Sequence, residues 1–169
     1  VLRRELDDAF RNRGELYRLL LDELEAALGP EAAEALMVRM LERRGREVAA
    51  KLFAGLPPRA VAIGERFLSV SPDAGCLYPH EREQDLTSLT VRVSRCPLKD
   101  AWMAAGLSPG RTAQLCRIAG AFDRGLFEAA GVGFANETWS EVRGGGCCWI
   151  TLTDPEPAGS LAPAVEPAG

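Results

Sequence analysis

Six side chains in this sequence carry the clearest chemistry: the thiols of Cys76, Cys96, Cys116, Cys147 and Cys148, and the carboxyl of Asp123. Cys96 stands just before Pro97, at the point where a strand gives way to a helix. Backbone N–H groups at a helix start favour negative charge, so this thiol has the clearest route to a thiolate. Cys116 and Asp123 are seven residues apart on one predicted helix, two turns apart on the same side and at the edge of its apolar face. A carboxyl there is expected to be partly buried, and must find a partner or raise its pKa. Either outcome suits an acid–base group beside a thiol. Cys148 follows the run Gly144-Gly145-Gly146 after one intervening residue, and glycine lets backbone approach a neighbour or a ligand closely.

Each feature also has a plainer use. A cysteine on a core face packs as a small hydrophobe. Asp123 can salt-bridge to Arg92 or Arg124. The glycine run reads as a hairpin turn, because the strand–turn–helix setting of a phosphate loop is missing. Cys147 points opposite Cys148 by strand parity and is read as incidental, as is Cys76 in its loop. His80, the single histidine, sits in a polar loop and reads as a solvated side chain.

The elements that must position these groups follow from periodicity. Leu16, Leu19, Leu20, Leu24 and Ala27 recur at helical spacing over 15–28, where Gly29-Pro30 stops them. A second helix spans about 30–55 and a short third covers 58–69. Residues 71–85 read as a loop. In LTSLTVRVSRC, Leu89, Val91 and Val93 alternate with polar residues, a half-buried strand whose parity puts Cys96 on the face of Arg92 and Ser94. Pro97 opens a short helix. Ser108-Pro109 caps and starts a long one running to about Ala130. Residues 132–142 and 147–152 read as two strands of a hairpin about the tight turn Arg143–Gly146, with Cys148, Ile150 and Leu152 on one face. The fold class expected is α+β: a helical N-terminal half packed with a small antiparallel β-sheet and a long helix of the C-terminal half. One unit is expected over 1–153, with a disordered Pro/Ala/Gly-rich tail over 154–169.

Composition narrows the partners. The chain has 169 residues, a net charge of −4 and 47% hydrophobic residues. No basic block suggests a nucleic-acid partner, and no apolar run nears the roughly 18 residues that cross a bilayer. The opening VLRRELDDAF lacks an apolar signal core, so a cytoplasmic protein without a signal peptide is expected. Starting on Val1, the chain reads as trimmed or partial. An odd cysteine count argues against a disulfide framework. No cofactor is expected. The outer faces of the N-terminal helices read as scaffold or as a homo-oligomer surface.

Taken together, Arg95-Cys96-Pro97-Leu98 with Ala101-Trp102, Leu115-Cys116 with Asp123, Gly133-Phe134 with Glu137-Thr138, and Gly146-Cys147-Cys148 resemble the L-2-amino-thiazoline-4-carboxylic acid hydrolase family. The likeness spans about 86–153; the first half matches in helical character. It implies hydrolytic opening of a ring with a C=N–C–S unit to give a carbamoyl-cysteine, with Cys96, Cys116, Asp123 and Cys148 as candidate site residues. On that basis Cys96 thiolate adds to the ring carbon, or Asp123 activates water. Arg92 is expected to hold a substrate carboxylate, and Thr138 with the N–H groups near Gly145 and Gly146 to bind developing charge. Three other functions fit the residues: a non-catalytic small-molecule-binding domain like bacterial sensors of the 4-vinyl-reductase type, a zinc protein using three thiols plus Asp123 or His80, and a structural or interaction protein in which the cysteines only pack.

Overall fold

The first corner forms where the sequence demands it. Gly29 takes a left-handed φ of 83° and Pro30 occupies the next helix's first turn, so α1 (Leu2–Leu28) stops and α2 (Pro30–Leu52) turns back beside it. The computed structural model describes residues 2–143 and 146–156. After α2 come α3 (Ala60–Ser69), a 3-10 turn at Pro72–Gly75, β1 (His80–Gln84), β2 (Ser88–Val93), α4 (Pro97–Ala104), α5 (Pro109–Ala129), β3 (Gly133–Glu137), a 3-10 turn at Glu141–Arg143 and β4 (Cys148–Thr153). This is the expected α+β class.

The sheet is antiparallel throughout, in the order β1-β2-β4-β3. Leu89 lies opposite Leu152, Val91 opposite Ile150 and Val93 opposite Cys148, so one face presents a continuous aliphatic surface. That face meets Ile63, Phe53 and Phe127 in a first core. A second core joins Leu21, Met37, Leu98, Trp102, Leu115 and Ile118 from the helices. Phe122 of α5 packs against both, which makes α5 the shared wall between them.

Two glycines let α2 and α5 touch backbone to backbone. A Cβ on Gly45 would meet the Phe122 carbonyl oxygen and lie 2.6 Å from the Leu126 nitrogen. One on Gly125 would meet the Glu42 carbonyl. This close crossing fixes the height of α5 in the molecule. At the far side, the indole of fully buried Trp102 donates to the Gly14 carbonyl at 2.8 Å, tying α4 to α1.

Several boundaries differ from expectation, each for a local reason. α1 begins at Leu2, because Phe10 and Tyr17 extend its packing face N-terminally. The predicted loop 71–85 contains edge strand β1, whose HEREQ sequence is exposed after its first residue and carries no apolar alternation. It is held by its ladder to β2, and its charges suit an unpaired edge. β3 and β4 do pair as expected, but β3 ends at Glu137 and β4 starts at Cys148, so the strands are not joined directly by a tight turn. Trp139 between them packs on the helical core instead of continuing the strand. Gly144 and Gly145 lie outside the described residues, as does the predicted tail from 157 onward. No described helix is long and apolar enough to cross a membrane.

Candidate functional site

Between the two cores lies a cavity of about 270 Å³. Its walls come from α1, α3, the sheet, α4 and α5, and most of them are apolar: Phe10, Phe67, Val91, Leu98, Phe122 and Ile150 among others. Set into these walls are the side chains of Arg13, Tyr78, His80, Cys96, Cys116, Asp123, Asn136 and Cys148. The end of a strand, the middle of the long helix and the start of the last strand thus meet on one space.

Cys96 is the residue that begins α4, with extended backbone angles (φ −131°, ψ 121°). Its thiol is drawn below the ordinary value, first by a hydrogen bond from the Cys147 thiol and then by the Lys99 and Leu98 N–H groups; burial opposes them. Strand parity placed it with Arg92 and Ser94. The strand ends at Val93, however, and Cys96 joins Val91 and Val93 in the cavity wall. Cys148 is also drawn down, by the Cys147 thiol at 3.7 Å and by the Trp139 N–H, against burial and the nearby Cys96.

Cys147 corrects the reading of it as incidental. It is buried, its N–H donates to the Val93 carbonyl at 2.7 Å, and its thiol lies beside the Cys96 and Cys148 sulfurs, 3.7 Å from the second, with one proton to share between them. Those two contacts and burial hold it protonated, well above the usual thiol range. The adjacent cysteine pair was the available signal; alternation failed because Cys147 precedes the strand. Cys116 is buried against the helical core, and desolvation keeps it a neutral thiol. Cys76 is exposed.

Asp123 sits two turns along α5 from Cys116, and the accessible part of its side chain faces the cavity. Desolvation raises its pKa to about 7, with Arg13 pulling weakly the other way. It does not pair with Arg92 or Arg124, which bind Glu83 and Glu42 instead.

Arg13, Tyr78, His80 and Asn136 were not anticipated as wall residues. Arg13 donates twice to the Tyr17 hydroxyl, at 3.2 and 2.8 Å. Tyr78 lies edge-on to Phe10 (5.8 Å), and burial holds its hydroxyl protonated. His80, expected in solvent, turns its ring toward the cavity, with Nδ1 2.8 Å from the Tyr78 carbonyl. The Asn136 Oδ1 is buried without a donor among the described residues. One signal was legible: Phe10, Arg13 and Tyr17 follow helical spacing, so an arginine occupies a stripe otherwise filled by aromatic side chains.

The expected substrate-binding residues are elsewhere. Arg92 is on the outer face of the sheet, paired with Glu83 at 3.0 Å and stacked 4.8 Å over Trp149. Its alternation with Val91 and Val93 turns it away from the cavity. Thr138 and Gly146 are absent from the cavity wall; Thr138 lies beside Gly120, and Gly146 takes a left-handed turn (φ 87°) before Cys147. Gly145 is outside the described residues. Among the described residues, no three His, Cys, Asp or Glu side chains form a group able to hold a metal ion, so the zinc alternative finds no support there.

Three comparisons bear on identity. Among solved structures, the chain resembles the phenol-responsive sensory domain of the transcription activator PoxR, crystallised with phenol. The two are 16% identical, with a TM-score of 0.48, over 85% of this chain and 74% of that one. No curated protein matches the chain. The family model for L-2-amino-thiazoline-4-carboxylic acid hydrolase matches residues 10–151, from the first cavity residue of α1 to the middle of β4. The chain therefore belongs to the L-2-amino-thiazoline-4-carboxylic acid hydrolase family.

Proposed function

We propose that this protein hydrolyses a small cyclic carboxylate of the thiazoline type, with a thiol attacking the C=N carbon and a carboxyl group handling the proton. One observation carries this reading: a thiol drawn toward thiolate (Cys96) and a carboxyl whose pKa burial raises to about 7 (Asp123) line the same largely apolar cavity.

Cys96 thiolate forms a C–S bond to the ring carbon between nitrogen and sulfur, and the C=N electron pair moves onto the ring nitrogen. Protonated Asp123 delivers its proton to that nitrogen. The tetrahedral carbon then expels the ring sulfur as a thiolate, which opens the ring and leaves an isothiourea on Cys96. Water adds to this carbon while the Asp123 carboxylate takes its proton. Collapse releases Cys96 thiolate, and the hydroxyl proton passes to the expelled ring thiolate, giving a carbamoyl-cysteine with a free thiol. The Cys147 thiol suits the two states of Cys96, since its donated hydrogen bond favours the thiolate that attacks and later leaves. The unpaired Asn136 Oδ1 is suited to accept from the amino group on the ring carbon.

The extent of apolar wall also favours a second reading, a module that binds a small ring compound without turning it over. Turnover separates the two. With 2-amino-thiazoline-4-carboxylate as substrate, Cys96→Ser and Asp123→Asn should each lower kcat by about 100-fold or more while leaving binding within about threefold. Unchanged turnover in both variants would refute these roles, and absence of turnover in the unsubstituted protein would favour the binding module.

A further inference from the structure

The cavity contains one arginine or lysine among its described wall residues, Arg13. Both guanidinium hydrogen bonds there go to one side chain, from Nε and Nη2 to the Tyr17 hydroxyl. Nη1 makes no hydrogen bond, and the side chain makes no ion pair, among the described residues. Several other helical arginines are ion-paired: Arg18 to Glu15 and Asp22, Arg111 to Asp22 and Glu25, Arg124 to Glu42. Asp123 lines the same cavity, but no hydrogen bond or ion pair joins it to Arg13 among the described residues, and burial raises its pKa to about 7. A partly buried cation held by two side chains, Phe10 through its ring and Tyr17 through its ring and hydroxyl, with donors left over, is built to meet an anion.

We propose that Arg13 is the carboxylate-binding residue of the cavity and that it selects small monoanionic ring carboxylates over their neutral analogues. A single guanidinium matches one carboxylate in charge and in its two-point geometry. A phosphate ester would bring about two charges into a wall with no second arginine or lysine. The ring of such a ligand would lie against apolar wall such as Phe10 and Tyr78, which line the cavity with Arg13 and are in edge-on contact with each other. Tyr17 is then a positioning residue: it holds Nε and Nη2 so that the remaining edge of the guanidinium faces inward.

This assignment deepens the hydrolase reading, but its test is independent of turnover. The probe is thiazolidine-4-carboxylate, whose saturated ring lacks the C=N carbon and cannot react by the steps above. Calorimetric titration of the intact protein should show it binding at least about 30-fold more tightly than thiazolidine-4-carboxamide. Arg13→Met should remove that preference by weakening the carboxylate alone. Tyr17→Phe should weaken the carboxylate about three- to tenfold and leave the carboxamide unchanged, which a loss of folding would not do. Equal affinity for the two probes, or no binding of the carboxylate, overturns the assignment without any variant being made. Selective binding that depends on Arg13, in a protein that leaves the thiazoline intact, would uphold Arg13 and reject the hydrolase.

Discussion

Replacing Asp123 with asparagine should flatten the dependence of folding stability on pH. In the folded protein the Asp123 carboxyl titrates near about 7, against an ordinary value of 3.8. Between those values the folded chain holds a proton that the unfolded chain has released. The folded pKa is the higher one, so this contribution to stability is complete below the unfolded value and is lost as pH rises through the folded one. The slope in that window is about −1.4 kcal/mol per pH unit, and across the whole shift the loss reaches about 4 kcal/mol. Asparagine has nearly the shape of the neutral acid and does not titrate. The stability of Asp123→Asn relative to the unsubstituted protein should therefore grow by about 3 kcal/mol between about pH 5 and pH 8. Urea unfolding of both proteins across that range measures it, and all other titrating groups cancel in the difference. Parallel stability curves would refute the claim that this carboxyl is desolvated in the cavity wall, and with it the claim that Asp123 can serve as an acid near neutrality.

Three further outcomes follow from the same structure. In the thiazoline reaction, kcat/KM should fall on the alkaline side of about pH 7 as Asp123 loses its proton, and Asp123→Asn should lack that limb; the pH–rate profiles of the two proteins decide it. Iodoacetamide near neutral pH should label Cys96 at least about tenfold faster than Cys116, as read by peptide mass spectrometry, because one thiol is stabilised as thiolate and the other is kept neutral by burial. Gly45→Ala should cost about 3 kcal/mol or more in denaturant unfolding, since its methyl group would run into the backbone of α5 at Phe122 and Leu126.

Much of the frame was legible because single residues announce it. Gly29-Pro30, Pro97 and Ser108-Pro109 mark the helix starts and stops found at α2, α4 and α5. The alternation of Leu89, Val91 and Val93 gives β2, and seven-residue spacing puts Cys116 and Asp123 on one side of α5. What stayed hidden depends on partners distant in sequence. β1 has no apolar alternation, since an edge strand needs only its ladder. Cys147 was misread because alternation says nothing about a residue just outside the strand. Arg92 was misassigned because the strand ended one short turn before Cys96. Arg13 and Asn136 reach the cavity only once α1 and β3 have docked on the rest of the fold, and periodicity carries no record of that docking.

The most direct test is to mix the protein with 2-amino-thiazoline-4-carboxylate, quench early, and analyse both the small molecules and the intact protein by mass spectrometry. The account predicts carbamoyl-cysteine with a new free thiol, together with a transient adduct that maps to Cys96 and is missing in Cys96→Ser. Carbamoyl-cysteine formed equally well by Cys96→Ser, or thiazoline recovered whole after prolonged incubation, would contradict it.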